Sequence, residues 1–392
     1  MINPDERGII MRRVMMLSVV VASVFIFLAI VDTAVAWNIQ PVSSITDKKI
    51  GKFDPWFKKL KKGATAEIAE HYTKPQHEDI AHRIFGCDAE DCRFPQTGQK
   101  FAPPAVLAGV RWNDTPPFTL LKTRTALCPA DKVITIINDP ECWGILFKDA
   151  KKQAETGRTY GNAPLTLVLY RSHFGDMQFL HSMASSEQER AGETKQKIIA
   201  WAEFMYRIAL GEITRGTSIK KTGIRDIDSL FTYRYDTIQT LFVSDAPREY
   251  KADENLHLFA MGVLIHMVSD SFSDSHVERG EQRGQECKNV SGKRHPGWIR
   301  GFHVYNLQDS SAHSDAESDY ALAYQFYYPE TNLVDVGQTI MEYYSRKAPW
   351  EELKGYFDCV YDLADPNAPA GPGSHYQKID KKIIDSNIIP SS

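Results

Sequence analysis

The feature that most constrains the fold is one apolar segment that carries a histidine and an acid. Residues 254–272 read ENLHLFAMGVLIHMVSDSF, and an apolar run with so few polar insertions is typical of a buried helix. Residues four positions apart share one face of a helix, so His266 and Asp270 project together. A buried imidazole and a buried carboxylate each need a partner, because an isolated buried charge is costly. A metal ion would satisfy both side chains, and a hydrogen bond between them inside the core is the alternative.

The rest of the pattern predicts a mainly α-helical protein. The chain has 392 residues, 43% of them hydrophobic and 24% charged, which is typical of globular proteins and excludes a disordered chain. Residues 278–301 are charged and glycine-rich and are predicted to form a long loop. We therefore expect a single multi-helix domain with long loops. Further helices are predicted at 76–85, 171–184, 186–210, 318–327 and 334–345, and short strands at 133–138 and 166–170.

The N-terminal region has the pattern of a secretory signal peptide. An uncharged run, residues 14–30, follows Arg12 and Arg13, and Ala34-Val35-Ala36 supplies a small-residue cleavage site. Cleavage between Ala36 and Trp37 is predicted, and an uncleaved membrane anchor is the alternative. The protein is then expected to be exported, either secreted or periplasmic.

Cleavage would leave one domain, residues 37–392, after a signal peptide spanning residues 1–36. The domain's core is predicted to be residues 37–362. A loose tail, residues 363–392, follows, because PNAPAGPG comes directly after Asp365.

Six cysteines form an even set, and in an exported protein such a set permits disulfides. Cys87 and Cys92 are close enough in sequence to close a small loop, whereas the other pairings stay open. The chain has no Cys-x-x-Cys pair, so a zinc site built from cysteines is disfavoured. The net charge of −4 provides no basic field that would attract nucleic acid.

Other histidines and acids could join the apolar segment's pair. His276 lies six residues beyond Asp270, and His313 and Glu317 repeat the four-residue spacing. The remaining candidates are His77 at the start of a helix, Asp114 in the turn WNDTPP, and His173 among apolar neighbours. Taken singly, each of these is explained at least as well by a surface histidine, a capping group or a hydrogen-bonded core residue, and for His77 and for His313 with Glu317 that explanation is favoured.

Taken in order, these residues resemble the zinc-dependent phospholipase C family, in particular its bacterial phosphatidylcholine-hydrolysing branch. The specific match is His266-x3-Asp270-x5-His276 followed by His313-x3-Glu317. The family shares an all-α fold and a trinuclear zinc site with fungal single-strand-specific nucleases. Its mature chain begins with a tryptophan that binds zinc. The resemblance implies nine zinc ligands: Trp37, His77, Asp114, His173, His266, Asp270, His276, His313 and Glu317.

The resemblance also implies how these ligands divide among three zinc ions. Asp270 bridges two ions and works with Asp114, His173 and His266 at the first. The α-amine and carbonyl of Trp37 join His77 at the second. Asp114 is also expected to act as the general base. The third ion is held by His276, His313 and Glu317.

Two departures from the family pattern leave alternatives open. The long gap between Asp114 and His173 requires an insertion, which weakens the assignment of Asp114. His303 is an alternative ligand to His313, although position 307 is Leu rather than a carboxylate.

The implied activity is that of an exported zinc phosphodiesterase. It would act as a phospholipase C, using metal-activated water to cleave phosphatidylcholine-like lipids into diacylglycerol and a phosphorylated head group. The expected partner is a phospholipid or membrane surface, and no protein partner is implied. One alternative is a single-strand-specific nuclease or 3′-nucleotidase with the same metals, for which nucleic acid is the substrate. Another is an exported structural or binding protein whose His/acid pairs are only hydrogen bonds in the core.

Overall fold

The computed structural model describes residues 76–93, 98–136, 139–233, 235–243, 253–280, 283–317, 321–322, 325–326 and 331–378. The predicted signal peptide, Trp37 and most of the predicted helix at 318–327 lie outside these residues.

The described chain is mainly α-helical, as predicted. In chain order the α-helices are α1 (Gln76–Ile84), α2 (Pro104–Trp112), α3 (Pro140–Glu155), α4 (Val168–Phe174), α5 (Ala191–Ala209), α6 (Arg225–Asp228), α7 (Asp253–Asp270), α8 (Ser310–Asp315), α9 (Leu333–Ser345) and α10 (Trp350–Val360). Short 3-10 helices cover Gln178–His181 and Tyr305–Leu307, and a π-helix covers Gln239–Val243.

The strands form three small antiparallel pairs. β1 (Phe118–Thr119) pairs with β2 (Val133–Ile134), β3 (Val277–Arg279) with β6 (Ile299–Phe302), and β4 (Arg283–Glu286) with β5 (Arg294–Pro296).

Two local predictions were wrong. The strand predicted at residues 166–170 is the start of α4, because a short apolar run has no period that separates a buried helix from a buried strand. The region predicted as a loop at residues 278–301 instead contains β4 and β5 and most of β3 and β6, which form two of the antiparallel pairs.

Helix α7 is the buried centre of the main core, as its apolar sequence predicts. It packs closely on α2, and the reason is a pair of glycines. A Cβ atom added at Gly262 would lie 2.0 Å from the carbonyl oxygen of Val106, and one added at Gly109 would lie 2.0 Å from that of Phe259. No other residue type fits this crossing, so the glycines bring the two backbones together. On another side of α7, α5 contributes the fully buried Trp201 to the same core.

A second apolar cluster lies in the stretch between Asp114 and His173. It contains Trp143 and Phe147 from α3 and the buried ends of β1 and β2, and Tyr305 joins it from a distant part of the chain. This stretch therefore folds around its own small core.

Three disulfides cross-link the described chain: Cys87–Cys92, Cys128–Cys142 and Cys287–Cys359. The first is the pair that the sequence marked as close enough to join. Beyond α10, residues 366–378 form an extended segment that we call the C-terminal strap. It is bound to the core by backbone hydrogen bonds, among them Gly192 N–H to Pro366 O (2.8 Å) and Val304 N–H to Gly371 O (2.8 Å).

Candidate metal centre

The fold gathers eight of the nine predicted ligands into one buried region, and the ninth, Trp37, lies outside the described residues. His77 stands in the first turn of α1, Asp114 follows the end of α2, and His173 lies on α4. The others come from α7, the turn before β3, α8 and the turn after α8. All eight are at most 4% exposed: His77, Asp114, His173, His266, Asp270, His276, His313 and Glu317.

Among the described residues, three sets of these side chains have donor atoms within 4.8 Å of one another and could hold metal ions. The first set includes a residue that the sequence reasoning missed, His181. The sets are Asp114, His173 and His181; His77, His266 and Asp270; and His276, His313 and Glu317.

His181 lies at the point where Asp114, His266 and Asp270 converge. Its Nδ1 is 2.9 Å from Asp270 Oδ2, 3.6 Å from Asp114 Oδ1 and 3.2 Å from His266 Nε2. His266 Nε2 is in turn 3.1 Å from Asp270 Oδ2 and 3.6 Å from Asp114 Oδ1. A tetrahedral zinc ion with bonds of about 2 Å separates its ligand atoms by roughly 3.3 Å. The five distances between these atoms are close to the spacing of one tetrahedral site.

Sequence patterns gave little indication that His181 belongs to the centre. The segment MQFLHSM has no acid at helical spacing, and its apolar residues indicate a core position. A 3-10 helix, Gln178–His181, turns this histidine toward the centre after α4 has ended. A signal that could have found it is its place eight residues beyond His173, inside the helix predicted at 171–184.

His173 approaches the same centre from α4. Its Nδ1 lies 3.1 Å from Leu169 O, while its Nε2 is buried and makes no hydrogen bond. Its ring centre lies 5.0 Å from that of His181. The structure thus brings two histidines to a position for which the sequence analysis named one.

Asp270 faces two histidine groups with its two oxygens. Oδ2 meets His181 and His266, whereas Oδ1 lies 3.3 Å from His77 Nε2. Asp114 Oδ2 is 4.0 Å from the same His77 nitrogen. A carboxylate in this position is suited to bridge two cations, as the resemblance implies for Asp270.

The third set is compact. Glu317 Oε1 lies 2.8 Å from His276 Nε2 and 3.1 Å from His313 Nε2. His303, the alternative to His313, is not part of any of the three sets; its Nδ1 lies 3.0 Å from Ser275 O.

Hydrogen bonds outside the centre orient most of its histidines. The Nδ1 atom of each ring lies near an oxygen of the surrounding protein, so the Nε2 atom points inward. The pairs are His77 with Ser269 Oγ (3.1 Å), His173 with Leu169 O (3.1 Å), His266 with Val110 O (2.6 Å), His276 with His181 O (2.7 Å) and His313 with Gln308 Oε1 (2.6 Å). Histidines that bind metals commonly donate their other N–H in this way, which fixes the tautomer.

Whether these residues fit a metal is shown by the imidazole nitrogens and carboxylate oxygens that point into the centre. Buried polar atoms are normally hydrogen-bonded, and each exception calls for an explanation. Here several short contacts lack hydrogen-bond geometry, and a cation would supply the missing partner. The inward atoms without a hydrogen bond are His77 Nε2, Asp114 Oδ1 and Oδ2, His173 Nε2, Asp270 Oδ1, His276 Nε2, His313 Nε2 and Glu317 Oε2, together with His181 Nε2 on the far side of its ring.

Burial and mutual charge shift the pKa values in this region. Burial lowers the pKa of His77 to about 3 and that of His181 to about 4, so both rings are neutral at pH 7. Burial and the neighbouring Asp270 raise the pKa of Asp114 well above its usual range. Burial opposes ionisation of Asp270, but the surrounding histidines outweigh it and hold its pKa well below the usual range. At His77, His181 and Asp270 these are the protonation states that metal binding requires, whereas Asp270 and Glu317 raise the pKa of His276.

A small cavity of about 10 Å³ borders the centre. His173, His181, His276 and His313 line it together with Ser172, Met183 and Tyr305. A neighbouring cavity, also of about 10 Å³, shares Tyr305 and His313 and adds Phe174. Aromatic side chains therefore stand next to the histidine groups on the side where these cavities lie.

Among the described residues, no helix combines the length and apolar character needed to cross a membrane. Comparison with family models, with curated protein sequences and with solved structures gives no match.

Proposed function

We propose that this protein is an exported zinc-dependent phosphodiesterase of the phospholipase C type, with the fold of that family, that hydrolyses phosphatidylcholine-like phospholipids. The observation that carries the proposal is the set of buried histidine and carboxylate atoms that face one another without hydrogen bonds. Such an arrangement is costly in a structural core but is suited to a cluster of divalent cations. The ordered match to the family's ligands supports zinc as the metal and three as the number of ions.

The residues divide naturally among three ions. Asp114, His181, His266 and Asp270 would hold the first, with His181 taking the place that the sequence gave to His173. His77 and Asp270 would contribute to the second, together with Trp37. His276, His313 and Glu317 would hold the third.

Removal of the signal peptide during export would complete the centre, because it would free the α-amine of Trp37. An α-amine with a pKa near 8 loses its proton readily to a metal, whereas an amide nitrogen in an uncleaved precursor cannot coordinate in that way. The three disulfides support export, because such bonds persist in oxidising compartments.

When bound, zinc ions supply Lewis acidity: they stabilise charge on phosphoryl oxygens and lower the pKa of water. The protein's own residues set the geometry and the charge balance. With the ions bound, Asp114 would be ionised like Asp270 and Glu317. Three negative charges beside three divalent ions would then leave a net positive charge, which favours an anionic phosphodiester. Asp114 would also accept a proton from the attacking water, through an oxygen not committed to a metal.

Metal analysis of the mature protein, combined with two substrate assays, tests the proposal. We expect about three zinc ions per chain and release of phosphocholine from phosphatidylcholine vesicles, with no cleavage of single-stranded DNA. DNA cleavage without lipid cleavage would favour the nuclease alternative. A metal-free protein would favour a structural role.

Substitution of a central acid tests the proposal at one residue. We expect Asp270→Asn to abolish lipid hydrolysis and to lower the zinc content. Asp79→Asn is the matched control, because Asp79 is a buried acid that pairs with Arg83, outside the centre. An Asp270→Asn protein with normal zinc content and turnover would refute the assignment.

A further inference from the structure

The third set of ligands is connected to the C-terminal strap through one buried glutamine. Gln308 is 3% exposed and lies between the strap and His313. Its amide nitrogen donates to two carbonyl oxygens, Ser275 O at 2.6 Å and Pro372 O at 2.7 Å. Its Oε1 lies 2.6 Å from His313 Nδ1.

The two carbonyls fix the orientation of the Gln308 amide. Only an N–H group can face a carbonyl oxygen at hydrogen-bond distance, so the opposite atom must be the oxygen. That oxygen accepts a hydrogen bond, which requires a proton on His313 Nδ1. The lone pair of His313 is therefore on Nε2, the atom 3.1 Å from Glu317 Oε1. Gln308 thus selects the tautomer of His313 that can bind a metal through Nε2.

The strap holds this arrangement from the other side. Pro372 O is one of the two acceptors for Gln308, and Asp309 N–H donates to Tyr376 O at 2.6 Å. Gly373 lets the strap pass directly over His303: its φ is +80°, and a Cβ atom there would lie 2.5 Å from His303 Cε1. A displacement of the strap would remove one of the two contacts that orient the glutamine.

We propose that Gln308, held by the C-terminal strap, is a positioning residue that sets the tautomer and orientation of His313 at the third metal group. The proposal rests on the proposed metal centre for its effect on zinc. Loss of a residue that orients a metal-binding histidine commonly weakens metal binding by about 10- to 100-fold.

Zinc titration against a chromophoric chelator tests the effect on binding. We expect Gln308→Leu to weaken one zinc site by about 10- to 100-fold and to leave the others unchanged. Gln325→Leu is the matched control, because Gln325 is also a buried glutamine that donates to a backbone carbonyl, that of Phe272. Three-site binding by Gln308→Leu with wild-type affinities would overturn the proposal while leaving the proposed function standing.

The role of the strap is tested separately with two glycines. Gly373→Ala is expected to displace the strap and weaken the same zinc site. Gly371→Ala should leave it unchanged, because no atom lies within 4 Å of a Cβ added there. Equal zinc affinities in the two variants would show that the strap does not hold Gln308 in position.

The tautomer gives a readout that needs no metal. Nitrogen chemical shifts of the His313 ring in the metal-free protein should show the proton on Nδ1, and Gln308→Leu should lose this preference. A wild-type ring protonated on Nε2 alone would overturn the proposal even if the protein binds zinc. A correct tautomer in a protein that binds no zinc would instead refute the proposed function.

Discussion

The crossing of α2 and α7 brings Asp114, which follows α2, close to His266 on α7, and Gly262→Ala tests this crossing. A Cβ atom at this position would lie 2.0 Å from Val106 O, whereas real Cβ contacts are essentially never below 3.0 Å. The two helices would therefore have to separate by about 1 Å or more, since a packed interior cannot absorb the overlap.

The separation has a calculable effect on stability. His266 Nδ1 lies 2.6 Å from Val110 O across the same helix pair, and about 1 Å of extra distance ends that hydrogen bond. Overpacking typically costs about 1–3 kcal/mol and a lost hydrogen bond about 1 kcal/mol, while replacing glycine in a helix gains up to about 1 kcal/mol. We expect a net loss of about 2 kcal/mol in the free energy of unfolding, measured by urea denaturation.

The same separation would disturb the centre. Asp114 follows α2 and His266 lies on α7, so the 3.6 Å between Asp114 Oδ1 and His266 Nε2 would grow beyond the spacing of one ion's ligands. Binding sites tolerate errors of only about 0.5 Å, so zinc affinity should fall at least tenfold.

The control is a glycine inside another helix. A Cβ atom added at Gly355 in α10 would have its nearest contact at 3.5 Å, an ordinary distance to Val290 Cγ2. Gly355→Ala should therefore be neutral or stabilise by up to about 1 kcal/mol, with unchanged zinc affinity. If Gly262→Ala is as stable as the wild type and binds zinc equally well, the argument from the helix crossing is wrong.

Three further predictions concern the metals and protonation. His181→Ala should lower the affinity of the first zinc site more than His173→Ala, measured by competitive zinc titration; the reverse order would restore the sequence-based assignment. One extra residue before Trp37 should reduce zinc content and lipid hydrolysis, and full activity of the extended protein would exclude coordination by the amine. Burial lowers the pKa of His82 from 6.5 to about 3, so the folded ring stays neutral while the unfolded chain takes up a proton below pH 6.5. Stability should therefore fall with pH between 6.5 and 3, and by pH 5 this residue should account for about 2 kcal/mol. His82→Asn keeps an acceptor for Ala102 N–H, so urea denaturation at pH 7 and 5 should show a smaller loss, and an equal loss would contradict the reasoning.

The sequence by itself determined the helical class of the protein and the principal pair of the centre. The apolar run of α7 needed a buried position, and the four-residue spacing of His266 and Asp270 put both on one face, because helical periodicity is a local property. The same local rule paired His313 with Glu317. The sequence also predicted that Cys87 and Cys92 could join, since only four residues separate them.

Tertiary structure decided the remainder, because nothing local relates residues that are far apart in the chain. His181 is at the centre because a 3-10 helix follows α4 and its ring then meets a carboxylate 89 residues away, that of Asp270. The apolar cluster around which the residues between Asp114 and His173 pack also includes Tyr305, which comes from outside that stretch. Gln308 faces His313 Nδ1 and also donates to Pro372 O, which belongs to a strap more than fifty residues further along the chain. Such contacts arise from packing, whose outcome depends on the shapes of all the segments together.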